Sequence, residues 1–210
     1  MARTFLKITP DAEREAAALR AFAGRGCVAL LDYDPAASSL LLQRAEPGTQ
    51  LASLCETDDV RATSIAAGVI RALPREVHPF PSLHAWLAAD DTLAAIAAGL
   101  RDPSREILLH GDLHQYNILA HGDRWLAIDP KGVLGEPECE LAPLLLNPVP
   151  GSPARLQRRL HQLCDELSFD RQRSTAWSFV RASLAVLWAI EDEGEAPAEW
   201  VECVRLLRDF

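Results

Sequence analysis

Apolar and polar side chains alternate in "RTFLKI", residues 3–8, with the period of a half-buried strand. The period then lengthens. In "TPDAEREAAALRAFAG", Thr9 as N-cap, Pro10 at the first helical position and acids in the first turn predict a helix that Gly24 and Gly26 end. "CVALLDYD" and "SSLLLQRA" predict two further strands, joined by an Asp-Pro turn within residues 32–37. "EPGT", residues 46–49, breaks this pattern and is the expected hinge. It divides the chain into a small mixed lobe, residues 1–45, and a larger, mainly helical lobe, residues 46–210.

Beyond the hinge, "ETDDVRATSIAAGVIRAL" and "SLHAWLAADDTLAAIAAGL" carry helical spacing on either side of a proline-bearing connector, "PREVHPFPS". The apolar runs at 107–109, 118–120 and 125–128 are too short for helices and sit among turn residues, so small strands that present loops are expected. From about residue 153, "ARLQRRLHQLCDEL", "STAWSFVRASLAVLWAIED" and "AEWVECVRLLRDF" predict three helices.

Composition narrows the function classes. At 210 residues with 49% hydrophobic content, the chain can bury a substantial core as one domain or two small lobes. Its longest apolar run, "ASLAVLWAI" (182–190), falls well short of the roughly 18 residues a membrane span needs, and the N-terminus lacks an apolar signal segment. A cytoplasmic protein without a membrane partner is expected. The net charge of -9 argues against a nucleic-acid surface and favours a cationic small-molecule partner. Five scattered cysteines without a Cys-x-x-Cys pair read as reduced thiols packed as small hydrophobes. Nineteen arginines accompany only two lysines, Lys7 and Lys131, so either chance or the need for a compact ammonium sets those two positions.

The densest polar chemistry lies in "ILLHGDLHQYNILAHGDRWLAIDP", residues 107–130. Asp112 and Asn117 stand as D-x-x-x-x-N with His110 two residues before the Asp, the spacing of a kinase catalytic loop. A loop carboxylate there accepts the proton of an attacking hydroxyl, and an amide oxygen a few residues on reaches Mg²⁺. Asp129, ending the strand "WLAI", is a second candidate metal ligand. Singly, such Asp and Asn residues are more often turn formers. Together they favour phosphotransfer, with His110 packed to orient the loop and no role assigned to His114. The competing reading is a metal-dependent hydrolase using His110, Asp112 and His114, with His121 as the nearest additional ligand. Phosphotransfer also requires a cation for the phosphates on a strand, fixed by a helix Glu. Lys7 and Glu15 fill those positions, with Glu13 as the neighbouring alternative.

"LLHGDLHQYNIL", "WLAIDPKGVLGEPECELAPLL" and "FLKI…EREAAAL" resemble the aminoglycoside phosphotransferase superfamily, and "AIDPKGVLGEP" is similar to its streptomycin 6-kinase and hydroxyurea phosphotransferase branch. The resemblance implies an α+β, protein-kinase-like bilobal fold that moves the ATP γ-phosphate to a small-molecule hydroxyl, with ATP and Mg²⁺ as cofactors. Carried over by position, Asp112 is the catalytic base, Asn117 and Asp129 are the metal ligands, and Lys7 with Glu15 anchors the phosphates. Gln43, Arg44 and Ala45 form the linker that holds adenine; Lys131 acts at the phosphates or in an ion pair; Glu140 is a structural carboxylate. The acceptor pocket is expected in the helical lobe, where six acids and no Lys or Arg lie between 191 and 202, with Glu191 and Asp192 as candidate contacts to a streptomycin-like cation. Relatives carry a Gly-bearing hairpin before the Lys strand, for which six residues leave no room. A truncated N-terminal lobe is therefore expected, and with it either a start site set too far downstream or an impaired, ligand-binding remnant.

Overall fold

A computed structural model of the chain describes residues 3–74, 79–88 and 90–210. Three small antiparallel sheets and a set of helices make an α+β architecture. The first sheet has the order β1-β3-β2, from β1 (Thr4–Ile8), β2 (Leu30–Asp34) and β3 (Ser39–Gln43). Its register sets Lys7 opposite Leu40, and Leu40 and Leu42 turn inward while Phe5, Leu6 and Ile8 stay exposed. Against it lies α1 (Ala12–Phe22), which buries Glu15, Ala16, Leu19 and Phe22.

The helix begins two residues later than Thr9 and Pro10 predict. Thr9 instead closes a turn, its Oγ1 accepting from the Asp11 N–H at 3.4 Å and its carbonyl from Ala12 at 3.2 Å, and Asp11 becomes the N-cap.

"EPGT" is a strand and not a bare break. β4 (Pro47–Gln50) pairs with β6 (Ile118–His121), which pairs with β7 (Arg124–Ala127). Between β3 and β4 the chain passes from one sheet to the next. A parallel bridge from Cys27 to Ala127 ties the two regions together, with Val28 N–H to Ala127 O at 3.0 Å and Ala127 N–H to Gly26 O at 2.9 Å.

The third sheet pairs β5 (Ile107–Leu109) with β8 (Val133–Gly135). Three-residue β8 is not predicted from its sequence, because "VLG" gives no period to read. α2 (Ala52–Cys55) and α3 (Asp59–Ala72) follow the second sheet's first strand. The pattern over 82–100 resolves into two helices, α4 (Leu83–Leu87) and α5 (Asp91–Leu100). Asp90 interrupts it as N-cap, accepting from Leu93 N–H at 2.8 Å. The connector at 74–82 lies partly outside the described residues.

α6 (Leu141–Leu146) is wholly buried, so its sequence shows no amphipathic period. α7 (Pro153–Leu167) starts on a Ser152 cap with Pro153 at its first position. The 23-residue α8 (Arg171–Glu193) starts on Asp170, which accepts from Arg173 N–H at 2.7 Å, and ends at Gly194 with φ 84°. α9 (Ala198–Asp209) completes the chain's helices.

One apolar core joins α1, α3, α6 and α7 through Leu19, Phe22, Val69, Leu113, Ile118, Leu144 and Leu160. A second gathers Leu83, Leu87, Val133, Trp177 and Leu184 around α8. Each such fully buried side chain stabilises the fold by about 1.5–3 kcal/mol relative to exposure. The two cores flank the loop that follows β5, which is why residues 110–117 are held in place although they are mostly irregular. All five cysteines are buried and free. Among the described residues no helix is long and apolar enough to cross a membrane.

Candidate active site

β5 delivers the chain to His110, whose imidazole is wholly buried. Its Nε2 meets the Ile128 carbonyl at 2.8 Å, and its Nδ1 accepts the Asp112 N–H at 3.3 Å. Those two bonds require the neutral Nε2–H tautomer. Burial enforces the same state by pushing the pKa down to about 3. One neutral ring thus fastens the loop bearing Asp112 to the strand that leads to Asp129, the orienting role expected for it.

The Gly111 peptide is gripped from two sides. Its N–H donates to Glu140 Oε1 at 2.8 Å, and its carbonyl accepts from Arg181 Nη2 at 3.0 Å. Gly111 has φ 86°, and a Cβ there would lie 3.0 Å from Val133 and 3.2 Å from Trp86, so both backbone conformation and space call for glycine. Glu140 is the structural carboxylate expected from its position. Burial among apolar neighbours pushes its pKa up to about 7, against the opposing pull of the Gly111 N–H and Arg181.

Asp112 follows at the mouth of a cavity. Burial raises its pKa, while His114, Lys131 and Arg181 act in the opposite sense. A carboxylate with a raised pKa is a stronger base, which suits proton acceptance. Asn117 ends a short 3-10 turn, Gln115–Asn117, and its Nδ2 donates to the Asp112 carbonyl at 3.0 Å. That bond fixes the amide plane and leaves its oxygen outside this contact. His114 packs edge-on against Tyr116, and burial lowers its pKa, so at neutral pH it does not form a true ion pair with Asp112, 3.8 Å away.

After β7, Asp129 adopts φ 61°, an uncommon conformation for a residue with a side chain. Its Oδ1 lies 2.8 Å from Lys7 Nζ, and the same ammonium donates to Glu15 Oε2 at 2.8 Å. Of the two glutamates considered, Glu15 and not exposed Glu13 makes this bond. Burial works against the Lys7 charge, but the bonds to Asp129 and Glu15 prevail and raise its pKa. Burial raises that of Glu15, which shares the single ammonium with Asp129.

Gln43, Arg44 and Ala45 border a cleft of 310 Å³ together with Phe5, Val28 and Ile128. The Gln43 N–H donates to Ala29 and that of Arg44 to Arg3, while Glu46 N–H is taken by His121 Nδ1. Buried Ala45 keeps a backbone N–H with no partner among the described residues.

Beside Asp112 lies a second cavity of 400 Å³, lined by Lys131, Arg14 and Arg181 and by Trp86, Trp188 and Trp200. Lys131 makes no ion pair with a described residue, so the ion-pair alternative for it is not realised among them. Glu191 and Asp192 are exposed at the far end of α8 and do not line this cavity. The face of α8 that does so is Arg181, Ala185 and Trp188. Those residues, and Trp86, read in the sequence only as core-like helix positions; an Arg embedded in the apolar stretch "SFVRASLAV" is the one local hint. The hydrolase set is not assembled: His110 is bound to Ile128, His121 interacts with Gln43 and Glu46, and no metal-binding group of three His, Cys, Asp or Glu occurs among the described residues.

Residues 2–193 match the family model described as aminoglycoside/hydroxyurea antibiotic resistance kinase. The chain belongs to this family. It is 35% identical to a hydroxyurea phosphotransferase of Kitasatospora aureofaciens over 88% of this chain and 61% of that protein. It is 33% identical to a streptomycin 6-kinase of Streptomyces glaucescens over 92% of this chain and 73% of that one. The chain thus spans about three fifths of the length of the first relative. Among solved structures, a choline/ethanolamine kinase family protein from Mesorhizobium loti superposes with a TM-score of 0.67 at 16% identity, covering 97% of this chain and 82% of that one. The fold of this family member is therefore kinase-like, and its family matches the branch that "AIDPKGVLGEP" resembles.

Proposed function

We propose that the chain is an ATP-dependent small-molecule kinase. The observation that carries this reading is Lys7 Nζ held at 2.8 Å from both Glu15 and Asp129, with Asp129 joined to the loop that presents Asp112 by the β6–β7 hairpin. Glu15 is buried and fixes the ammonium, while Asp129 is 38% exposed and open to a further partner. The cleft at Gln43–Ala45 suits a flat base: its walls are mostly apolar, and the Ala45 N–H is available to a ring nitrogen. With ATP bound in that cleft, its phosphates would lie toward Lys7.

The donor set also suits Mg²⁺, which prefers hard oxygen ligands. Asp129 would hold it through its carboxylate and Asn117 through the amide oxygen left by its bond to Asp112. The ion would neutralise phosphate charge. Asp112 accepts the proton of the acceptor hydroxyl as the new oxygen–phosphorus bond forms. The bond between the γ-phosphorus and the bridging oxygen breaks, and ADP leaves. Lys131, beside Asp112 and without an ion pair among the described residues, would balance charge on the transferred group.

The relatives' names span an aminoglycoside and hydroxyurea, so a hydroxyl of a streptomycin-like or hydroxyurea-like compound is the acceptor range they suggest. Calorimetric titration of the folded chain with Mg-ATP, beside Asp129→Ala, tests the nucleotide site. Saturable binding that the substitution abolishes is expected. A folded wild-type chain that binds no Mg-ATP would overturn the proposal.

A further inference from the structure

His121 ends β6 opposite Pro47, the first residue of β4, and takes no part in the cluster of Lys7, Glu15 and Asp129. Its imidazole touches the linker at both ends. Nδ1 accepts the Glu46 N–H at 3.2 Å, and Nε2 stands 3.1 Å from the Gln43 amide nitrogen. The Gln43 amide oxygen is used by the Ala29 N–H at 3.2 Å. One ring thus spans residues 43–46, which carry the chain from the first sheet to the second. Leu119, two residues earlier and on the same face of β6, lines the cleft beside that linker.

A neutral imidazole has one acceptor nitrogen, and two donors approach this one. The Glu46 N–H belongs to a residue fixed by other bonds: its carbonyl accepts from the Gly122 N–H at 2.8 Å, and its carboxylate meets Arg3 at 3.0 Å. The Gln43 amide sits on a side chain with rotatable bonds, so it is the donor that can turn away. The acceptor is therefore Nδ1, and the ring proton sits on Nε2. At the other end of the linker, the Arg44 N–H donates to the Arg3 carbonyl at 3.1 Å. Between these two tethered residues lies Ala45, which borders the cleft and whose N–H has no partner among the described residues. Loss of the His121 bond would leave the Glu46 N–H untied and the direction of the neighbouring Ala45 N–H set from one side only.

We propose that His121 is a positioning residue for the nucleotide base: through Nδ1 it holds Glu46, and with it the linker, so that the Ala45 N–H meets a ring nitrogen of the base. The inference rests on the phosphotransfer reading above for the identity of the ligand. His121 does not itself line the cleft, so it acts through the backbone it holds. The histidine that stands in the sequence as the nearest additional metal ligand has its Nδ1 committed to a peptide N–H.

Amide side chains separate the two ring nitrogens, because an Asn carbonyl oxygen occupies the place of Nδ1 and a Gln carbonyl oxygen that of Nε2. The 210-residue chain, His121→Asn, His121→Gln and His121→Leu are titrated calorimetrically with Mg-ATP and, separately, with Mg-tripolyphosphate, with urea denaturation as the check on folding. His121→Asn should bind Mg-ATP within about threefold of wild type, and His121→Gln and His121→Leu more weakly by about tenfold or more. Mg-tripolyphosphate, which lacks the base, should respond alike to all four chains. Wild-type affinity for Mg-ATP in His121→Gln, a His121→Asn chain as weak as His121→Gln, or a parallel loss for Mg-tripolyphosphate would each overturn the inference. If His121→Leu does not fold, the comparison of Asn with Gln decides. A folded wild-type chain that binds no Mg-ATP overturns the kinase reading and this inference together; Mg-ATP binding that is indifferent to all three substitutions removes this inference alone.

Discussion

Replacing Glu140 by Gln removes a proton equilibrium from the interior without removing the bond that positions the Gly111 loop. Glu140 Oε1 accepts the Gly111 N–H at 2.8 Å, a bond the Gln amide oxygen reproduces, and Glu140 Oε2 is buried without a partner. Burial pushes the carboxyl pKa up from its ordinary 4.5 to about 7, so the unfolded chain ionises first as pH rises. The contribution of this group to stability is therefore full below pH 4.5 and is lost progressively as pH climbs through about 7. At 1.36 kcal/mol per pKa unit, that interval corresponds to about 3 kcal/mol. Urea denaturation of wild type and Glu140→Gln at fixed pH values from about 4.5 to 8.5 isolates the effect, because the other titrating groups cancel in the difference. The variant should gain on the wild type by about 3 kcal/mol across that range. Parallel stability curves would refute the reasoning: they would mean that Arg181 keeps the buried carboxyl ionised throughout.

Asp112→Asn should retain Mg-ATP affinity and lower the rate of ADP release with acceptor by about 10²–10⁴, the usual contribution of a general base, as a coupled ADP assay would read. Lys7→Met leaves Glu15 buried without its cation; about 2 kcal/mol of stability should be lost in thermal or chemical denaturation, less than for a fully buried pair because Asp129 is 38% exposed, and adding Glu15→Gln should recover most of it. None of the five cysteines should react with a thiol reagent in the folded chain, and all five should react in denaturant.

The parts of this molecule that sequence reveals are those whose cause is local. Alternation reveals β3 because Leu40 and Leu42 meet the core, whereas in β1 only Lys7 is partly covered, and the spacing of Asp112, Asn117 and Asp129 reflects one loop and one strand end. Lys7 and Glu15 are also legible, being separated only by a tight turn onto α1. The end of "SLHAWLAADDTLAAIAAGL" as a single helix is not, because an Asp in a helical pattern can be either a surface residue or a cap, and only the Leu93 N–H bond decides it. Least legible is the cavity beside Asp112. Trp86 comes from α4, about a hundred residues before Trp188 and Trp200 on the consecutive helices α8 and α9, each at a position indistinguishable from ordinary core. The acidic run after α8 is a strong local signal that misleads, since its side chains face solvent at the helix end.

The Arg181 guanidinium lies 5.2 Å and 5.8 Å from the ring centres of Trp86 and Trp188 while one of its nitrogens holds the Gly111 carbonyl. The wall of the cavity and the placement of the loop therefore share one side chain, and that limits how the cavity can change in evolution. A substitution at Arg181 that admits a new compound also frees the segment on which Asp112 stands, so it arrives with a loss of turnover. Arg14 and Trp200 reach the same cavity from α1 and α9 with no bond to that loop. Descendants of this chain that acquire new acceptors should therefore differ first at positions 14 and 200, with 181 held constant.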